Sequence, residues 1–143
     1  VYGVPSCAED RDQVKPVGAL KTRVSQVRMI GAGESVGYTR SSMAQHERKI
    51  ATIPIGYADG FPRSLSEGKG EVVIKGQRYQ VVGKVCMDMT MVDITGSEIQ
   101  DGDEVIVFGD NPKVTELATS AATIPYEIIA GISRRVQRLY FRD

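Results

Sequence analysis

The run EVVIKGQRYQVVGKVCMDMTMVDI, Glu71 to Ile94, decides how the chain is built. β-Branched residues crowd both sides of Lys75-Gly76, a pair suited to a tight turn, so the run is expected to fold back as a β-hairpin. Working outward, GDEVIVFG downstream is a short apolar strand held between glycines. Upstream, TIPIGYADGFPR (Thr52–Arg63) alternates, with Ile53, Ile55 and Tyr57 on one face, and then breaks at Asp59-Gly60 and Pro62. LKTRVSQVRMI from Leu20 alternates as one strand and stops at the turn GAGES, after which VGYTR resumes extended chain and SSMAQHERK is a polar excursion. Helix is expected only late, with Thr115 capping ELATSAA and Pro125 in the first turn of YEIIAGIS, before RVQRLYF closes as a strand. The fold class is therefore mainly β: a compact antiparallel barrel-like domain with one or two short helices near the C-terminus.

The totals exclude several functions. Among 143 residues, 18 basic and 18 acidic side chains cancel, so no overall field favours nucleic acid or anionic lipid. No apolar run reaches the length of a membrane span and no signal peptide opens the chain, so a cytoplasmic protein is expected. Cys7 and Cys86 with the single His46 make neither a disulfide framework nor a metal centre. The chain opens on Val1, and residues 1–18, with Pro5, Pro16 and AEDRDQ, are expected to form a connecting segment, with residues 19–143 as the domain.

Three tyrosines stand out: Tyr38, Tyr57 and Tyr126. Each can be an amphipathic residue at the core's edge whose hydroxyl finds a backbone partner. A phenol with a pKa near 10 acts as a base only where its anion is stabilised. Met87, Met89 and Met91 with Cys86 can be flexible core filling. Asp88 in their midst can be a satisfied aspartate at a bulge, or mark a main-chain donor offered to a ligand.

Four stretches resemble the C-terminal domain of alanine racemases in order and interval: GESVGYTRS, TIPIGYADGFPR, VGKVCMDMTMVD and TIPYEIIAGISRRV. The resemblance runs from about Val17 to Tyr140. It implies an enzyme that interconverts L- and D-alanine by a two-base mechanism on an aldimine with pyridoxal 5'-phosphate, feeding D-alanine to peptidoglycan. It implies an N-terminal (β/α) barrel that carries the cofactor lysine and most of the phosphate contacts, and a homodimer. By motif, Tyr38 is the base given to the partner subunit's active site, and Tyr57 narrows the substrate passage and orients the substrate. Met87 gives its main-chain N–H to the substrate carboxylate, and Tyr126 donates to the cofactor phosphate. Arg63, Lys84 and Ile124 line the route inward. Lys84 stands where some members carry arginine, which removes a bidentate contact. Asp59 and Gly60 are given only a turn-shaping role, and Cys86 none. His46 is expected to be a solvated loop residue, and Arg134, Arg135 and Arg138 the exposed face of the last strand or a contact with the barrel or second subunit.

On this reading the chain alone neither holds the cofactor tightly nor racemises alanine. Two other readings remain open: a racemase of broader amino-acid range, and a non-catalytic β-barrel module for binding or assembly. The balanced charge and three phenylalanines disfavour a base-stacking platform for single-stranded nucleic acid.

Overall fold

The computed structural model describes residues 18–34 and 45–141. The strands are β1 (Leu20–Arg23), β2 (Gln26–Ile30), β3 (Arg48–Ile53), β4 (Glu71–Ile74), β5 (Gln77–Val82), β6 (Thr90–Asp93) and β7 (Glu104–Phe108). Two helices follow, α1 (Val114–Ser120) and α2 (Pro125–Ala130). The strands form one sheet in the order β1-β7-β4-β5-β6-β3-β2, with every neighbouring pair antiparallel. The end strands are consecutive in the chain, so the sheet curls until Val24 and Ser25 link its two ends.

The expected hairpin at Lys75-Gly76 is present. Ile74 pairs with Gln77, and Lys75 and Gly76 both take positive φ, 49° and 78°, which matches the right-handed twist of the two arms. Its second arm is not one strand, because β5 ends at Val82 and chain resumes pairing at Thr90. The expected strand from Leu20 to Ile30 is likewise two. Val24 N–H donates to Asp103 O while Ser25 N–H donates to Thr52 O, so successive residues are claimed by opposite ends of the sheet. Alternation of side chains cannot reveal that change of partner.

Inside the curl, Ile53, Ile55, Phe61, Leu65, Val72, Ile74, Val81, Val92 and Val107 form the main core, closed by Val114, Leu117 and Ile128 from the helices. A smaller cluster of Ile30, Ile50, Val82 and Met91 covers the opposite face of the sheet. Met91 is thus core filling, as one reading of the methionines held, whereas Met87 and Met89 are exposed.

Pro125 opens α2, where its missing N–H is harmless. The cap of α1 is Lys113 rather than Thr115, which lies within the helix. Glu116 explains the shift: its Oε1 accepts the Lys113 N–H at 3.0 Å and its Oε2 accepts from Arg78 Nη2 at 2.7 Å. The Lys113 N–H, and after it Arg78, hold the Glu116 carboxyl below the ordinary glutamate range. Because this site is open to water, E116Q is expected to cost only about 0.5–1 kcal/mol at neutral pH. A carboxyl with a lowered folded pKa stabilises the fold above its unfolded value of 4.5 and loses that contribution as pH falls through the folded value. Urea unfolding should therefore show the difference between wild type and E116Q narrowing below pH 4.5. A constant difference would refute the assignment.

Candidate active site

The chain leaves β3 at Ile53 and turns through a loop whose main-chain donors are all used. Ile55 N–H goes to Ile53 O, Gly56 N–H to Asp59 Oδ2, Tyr57 N–H to Cys86 O and Ala58 N–H to Met87 O. Asp59 N–H and Phe61 N–H both reach Gly56 O, and Gly60 N–H reaches Tyr57 O. Phe61, fully buried, anchors the far side, and Thr90 Oγ1 donates to Ile55 O at 2.7 Å from beneath. The carboxylate of Asp59 catches the Gly56 N–H and turns the strand, so Tyr57 leaves the face of Ile53 and Ile55. Those isoleucines are buried while Tyr57 is 44% exposed, which corrects the expected alternation.

The second loop joins β5 to β6. Two successive carbonyls, Cys86 O and Met87 O, accept from Tyr57 and Ala58, both at 3.0 Å. In a trans peptide the C=O and the following N–H point in opposite directions. Two carbonyls aimed at the Tyr57 loop therefore turn the Met87 and Asp88 N–H groups away from it, side by side. Neither donates to any group among the described residues. Adjacent outward N–H groups of this kind suit an anion. The close approach requires Gly56, where a Cβ would overlap the Cys86 and Met87 carbonyls.

Arg135 ties both loops together. Its Nε donates to Asp59 Oδ1 at 2.7 Å and its Nη2 to Asp88 Oδ1 at 2.6 Å. These two carboxylates, Asp59 foremost, raise the guanidinium pKa above its ordinary value. Asp59 is thus a turn-shaping residue, as expected, and also one anchor of this bridge. Asp88 is satisfied, but on a loop. The segment RVQRLYF does not form the expected closing strand. Ser133 N–H donates to Asp59 O, and the Arg138 guanidinium donates to the carbonyls of Ile132, Ser133 and Val136, which holds the backbone against its own turn. Arg135 therefore does not belong to an exposed strand face. Sequence reading missed the bridge because its partners lie 76 and 47 positions away, with no local periodicity to link them.

A cavity of about 350 Å³ opens beside Tyr57, lined also by Pro62, Ser64, Thr123, Glu127 and Ile128. Thr123 Oγ1 donates to Glu127 Oε2 at the start of α2. Ile124 and Tyr126, from the same turn, are exposed, as is Arg63 at the head of a 3₁₀ turn, Arg63–Leu65. Lys84 is half-buried, at the start of the Met87 loop. His46 is exposed. Tyr38 lies outside the described residues, as does most of the expected connecting segment 1–18. The structure thus brings together the Tyr57 and Met87 loops, and joins Tyr57 to the first turn of α2 through the cavity.

The sequence pattern of the family described as alanine racemase, C-terminal domain, matches residues 17–140. The chain belongs to this family. This alanine racemase C-terminal domain is 44% identical over 138 residues to the alanine racemase of Geobacter sulfurreducens, covering 92% of this chain and 36% of that protein. It is 42% identical to alanine racemase 1 of Clostridium acetobutylicum, covering 100% of this chain and 39% of the relative. It also resembles the crystal structure of alanine racemase from Bartonella henselae with covalently bound pyridoxal phosphate. There the TM-score is 0.92 at 37% identity, with 98% of this chain and 39% of that one covered. The biosynthetic alanine racemase of Pseudomonas aeruginosa gives 0.90 at 32% identity, over 99% of this chain and 40% of that one. The domain therefore spans well under half the length of these relatives. Among its described residues, no helix is long and apolar enough to cross a membrane.

Proposed function

We propose that this chain serves as the C-terminal domain of a homodimeric alanine racemase, completing an active site whose cofactor is held by an N-terminal barrel. The observation that carries this reading is the Met87 N–H, turned outward beside exposed Tyr57 on two loops fastened to one another. An unspent main-chain donor, on a loop fastened to the one that carries an exposed phenol, suits the carboxylate of a small amino acid. It also accounts for an apolar side chain at a binding position, since the backbone supplies the contact.

Pyridoxal phosphate fits these residues at one point. Tyr126, half-exposed at the start of α2, can offer its hydroxyl to the phosphate, and no lysine lines the cavity to hold the aldehyde. When bound, the cofactor supplies the electron sink that makes the α-hydrogen removable. Tyr38 is the second base, its Oη taking or returning the α-proton on one face of the substrate. Tyr57 narrows the passage and orients the substrate, while Arg63, Lys84 and Ile124 lie along the way in. Arg63 suits the approach of a carboxylate. Residues 1–18 would connect the domain to the barrel, and the product would supply D-alanine to peptidoglycan.

Chiral chromatography of L-alanine incubated with the full-length enzyme tests the assignment. Conversion to the D-form is expected, and Tyr57→Phe should raise KM about three- to tenfold with a smaller change in kcat, because it removes one orienting hydrogen bond. The isolated chain, titrated with pyridoxal phosphate, should develop no stoichiometric visible absorbance band. Either an unchanged L-alanine sample or a full band on the isolated chain would overturn the reading.

A further inference from the structure

The anion-facing side of the Met87 loop carries an electrostatic problem. Asp88 directly follows Met87, and its side chain is more than half exposed. Asp59 lies two residues beyond Tyr57 on the adjoining loop. A substrate carboxylate arriving at the Met87 N–H would therefore meet the charge of neighbouring Asp88, with Asp59 held to the same guanidinium from the adjoining loop, and like charges repel. The two main-chain bonds from Tyr57 and Ala58 fix how close the loops lie, but supply no positive charge. Among the described residues, Arg135 is the cation in contact with both carboxylates.

We propose that Arg135 is a positioning residue for carboxylate recognition, which locks the Tyr57 and Met87 loops in register and offsets the charge of Asp59 and Asp88 by one unit so that an acid group can settle on the Met87 N–H. The inference rests on the reading of Met87 given above. Arg135 bonds through Nε and Nη2, one nitrogen to each carboxylate. A planar fork can span two loops in this way, whereas an ammonium concentrates its charge at one point. The backbone around Arg135 is itself tied down, since its N–H donates to Ser133 Oγ and the Ser133 N–H to the Asp59 carbonyl. The whole turn after α2 is therefore fastened to the Tyr57 loop before the guanidinium reaches across to Asp88.

The two parts of the role separate experimentally, because the repulsion can be removed without restoring the bridge. In the full-length enzyme carrying its cofactor, inhibition of racemisation by propionate reports carboxylate binding without the amine. R135Q is expected to weaken propionate about tenfold at low salt, and less at high salt, where exposed charges are screened. D88N alone should bind propionate at least as well as wild type. The double variant R135Q/D88N should recover to within about threefold of wild type, although its thermal midpoint stays as low as that of R135Q. R135K, which keeps the charge and places less demand on folding, should lose about threefold and regain it with D88N. An unchanged propionate constant in R135Q or R135K, or a double variant as weak as R135Q, would overturn the proposal. If Arg135 variants leave propionate binding unchanged while Tyr57→Phe still raises KM, the positioning role fails and the site assignment stands. If Tyr57→Phe is also silent, the assignment fails with it.

Discussion

Tyr38→Phe in the full-length enzyme is expected to lower racemisation by about 10²–10⁴-fold, the range that a positioned acid–base group contributes. The effect should be directional. A racemase that works with a base on each face of the α-carbon needs the phenol to abstract a proton from one enantiomer and to deliver one to the other. Loss of the hydroxyl should therefore abolish exchange of the α-hydrogen of L-alanine with deuterated water, while the opposite face keeps its own base. The homodimer proposed above, checked by light scattering, should persist, because one oxygen is removed and no apolar surface. Wild-type exchange rates in the variant would reduce this domain to a scaffold.

The second large effect concerns a residue with no side chain at all. Gly56→Ala should lower kcat/KM about 100-fold and stability by about 3 kcal/mol, because overpacking against main chain is added to the loss of hydrogen bonds. Gly56 is not among the positive-φ glycines, so the backbone conformation itself would tolerate alanine. What forbids it is the nearness of the Cys86 and Met87 carbonyls. The loops must part, and the Met87 peptide is then free to rotate. Gly18, with open space around it and no positive φ, is the matched control and should be silent. If Gly56→Ala were as mild as Gly18→Ala in denaturation and turnover, the fastening of the two loops would not govern the site.

Local chemistry makes part of this legible from sequence. The Lys75-Gly76 turn, Pro125 and the glycine-bounded β7 each carry their instructions within a few residues, and each stands where expected. Two of the four family-like stretches carry the Tyr57 and Met87 loops, which do meet. Other features depend on partners distant in sequence. Whether Val24 and Ser25 continue one strand or divide two is decided by Asp103 and Thr52, not by their own alternation. The closing segment alternates well enough for a strand, yet Arg138 folds back onto the carbonyls of Ile132, Ser133 and Val136. Asp59 reads as turn chemistry alone because nothing near it in sequence announces Arg135. Likewise, Thr115 has the side chain of a helix cap, but Glu116 reaches back three residues and moves the boundary to Lys113.

The handover at Val24 and Ser25 also bears on how copies of this chain can meet. Unpaired strand margins recruit foreign strands, the usual route to indiscriminate clumping. Here the two margins belong to consecutive segments joined by a single covalent step, so neither can swing outward without breaking the Val24–Asp103 or Ser25–Thr52 hydrogen bond. Recognition between protomers would then fall to the loops and side chains at the rim, where geometry can be specific.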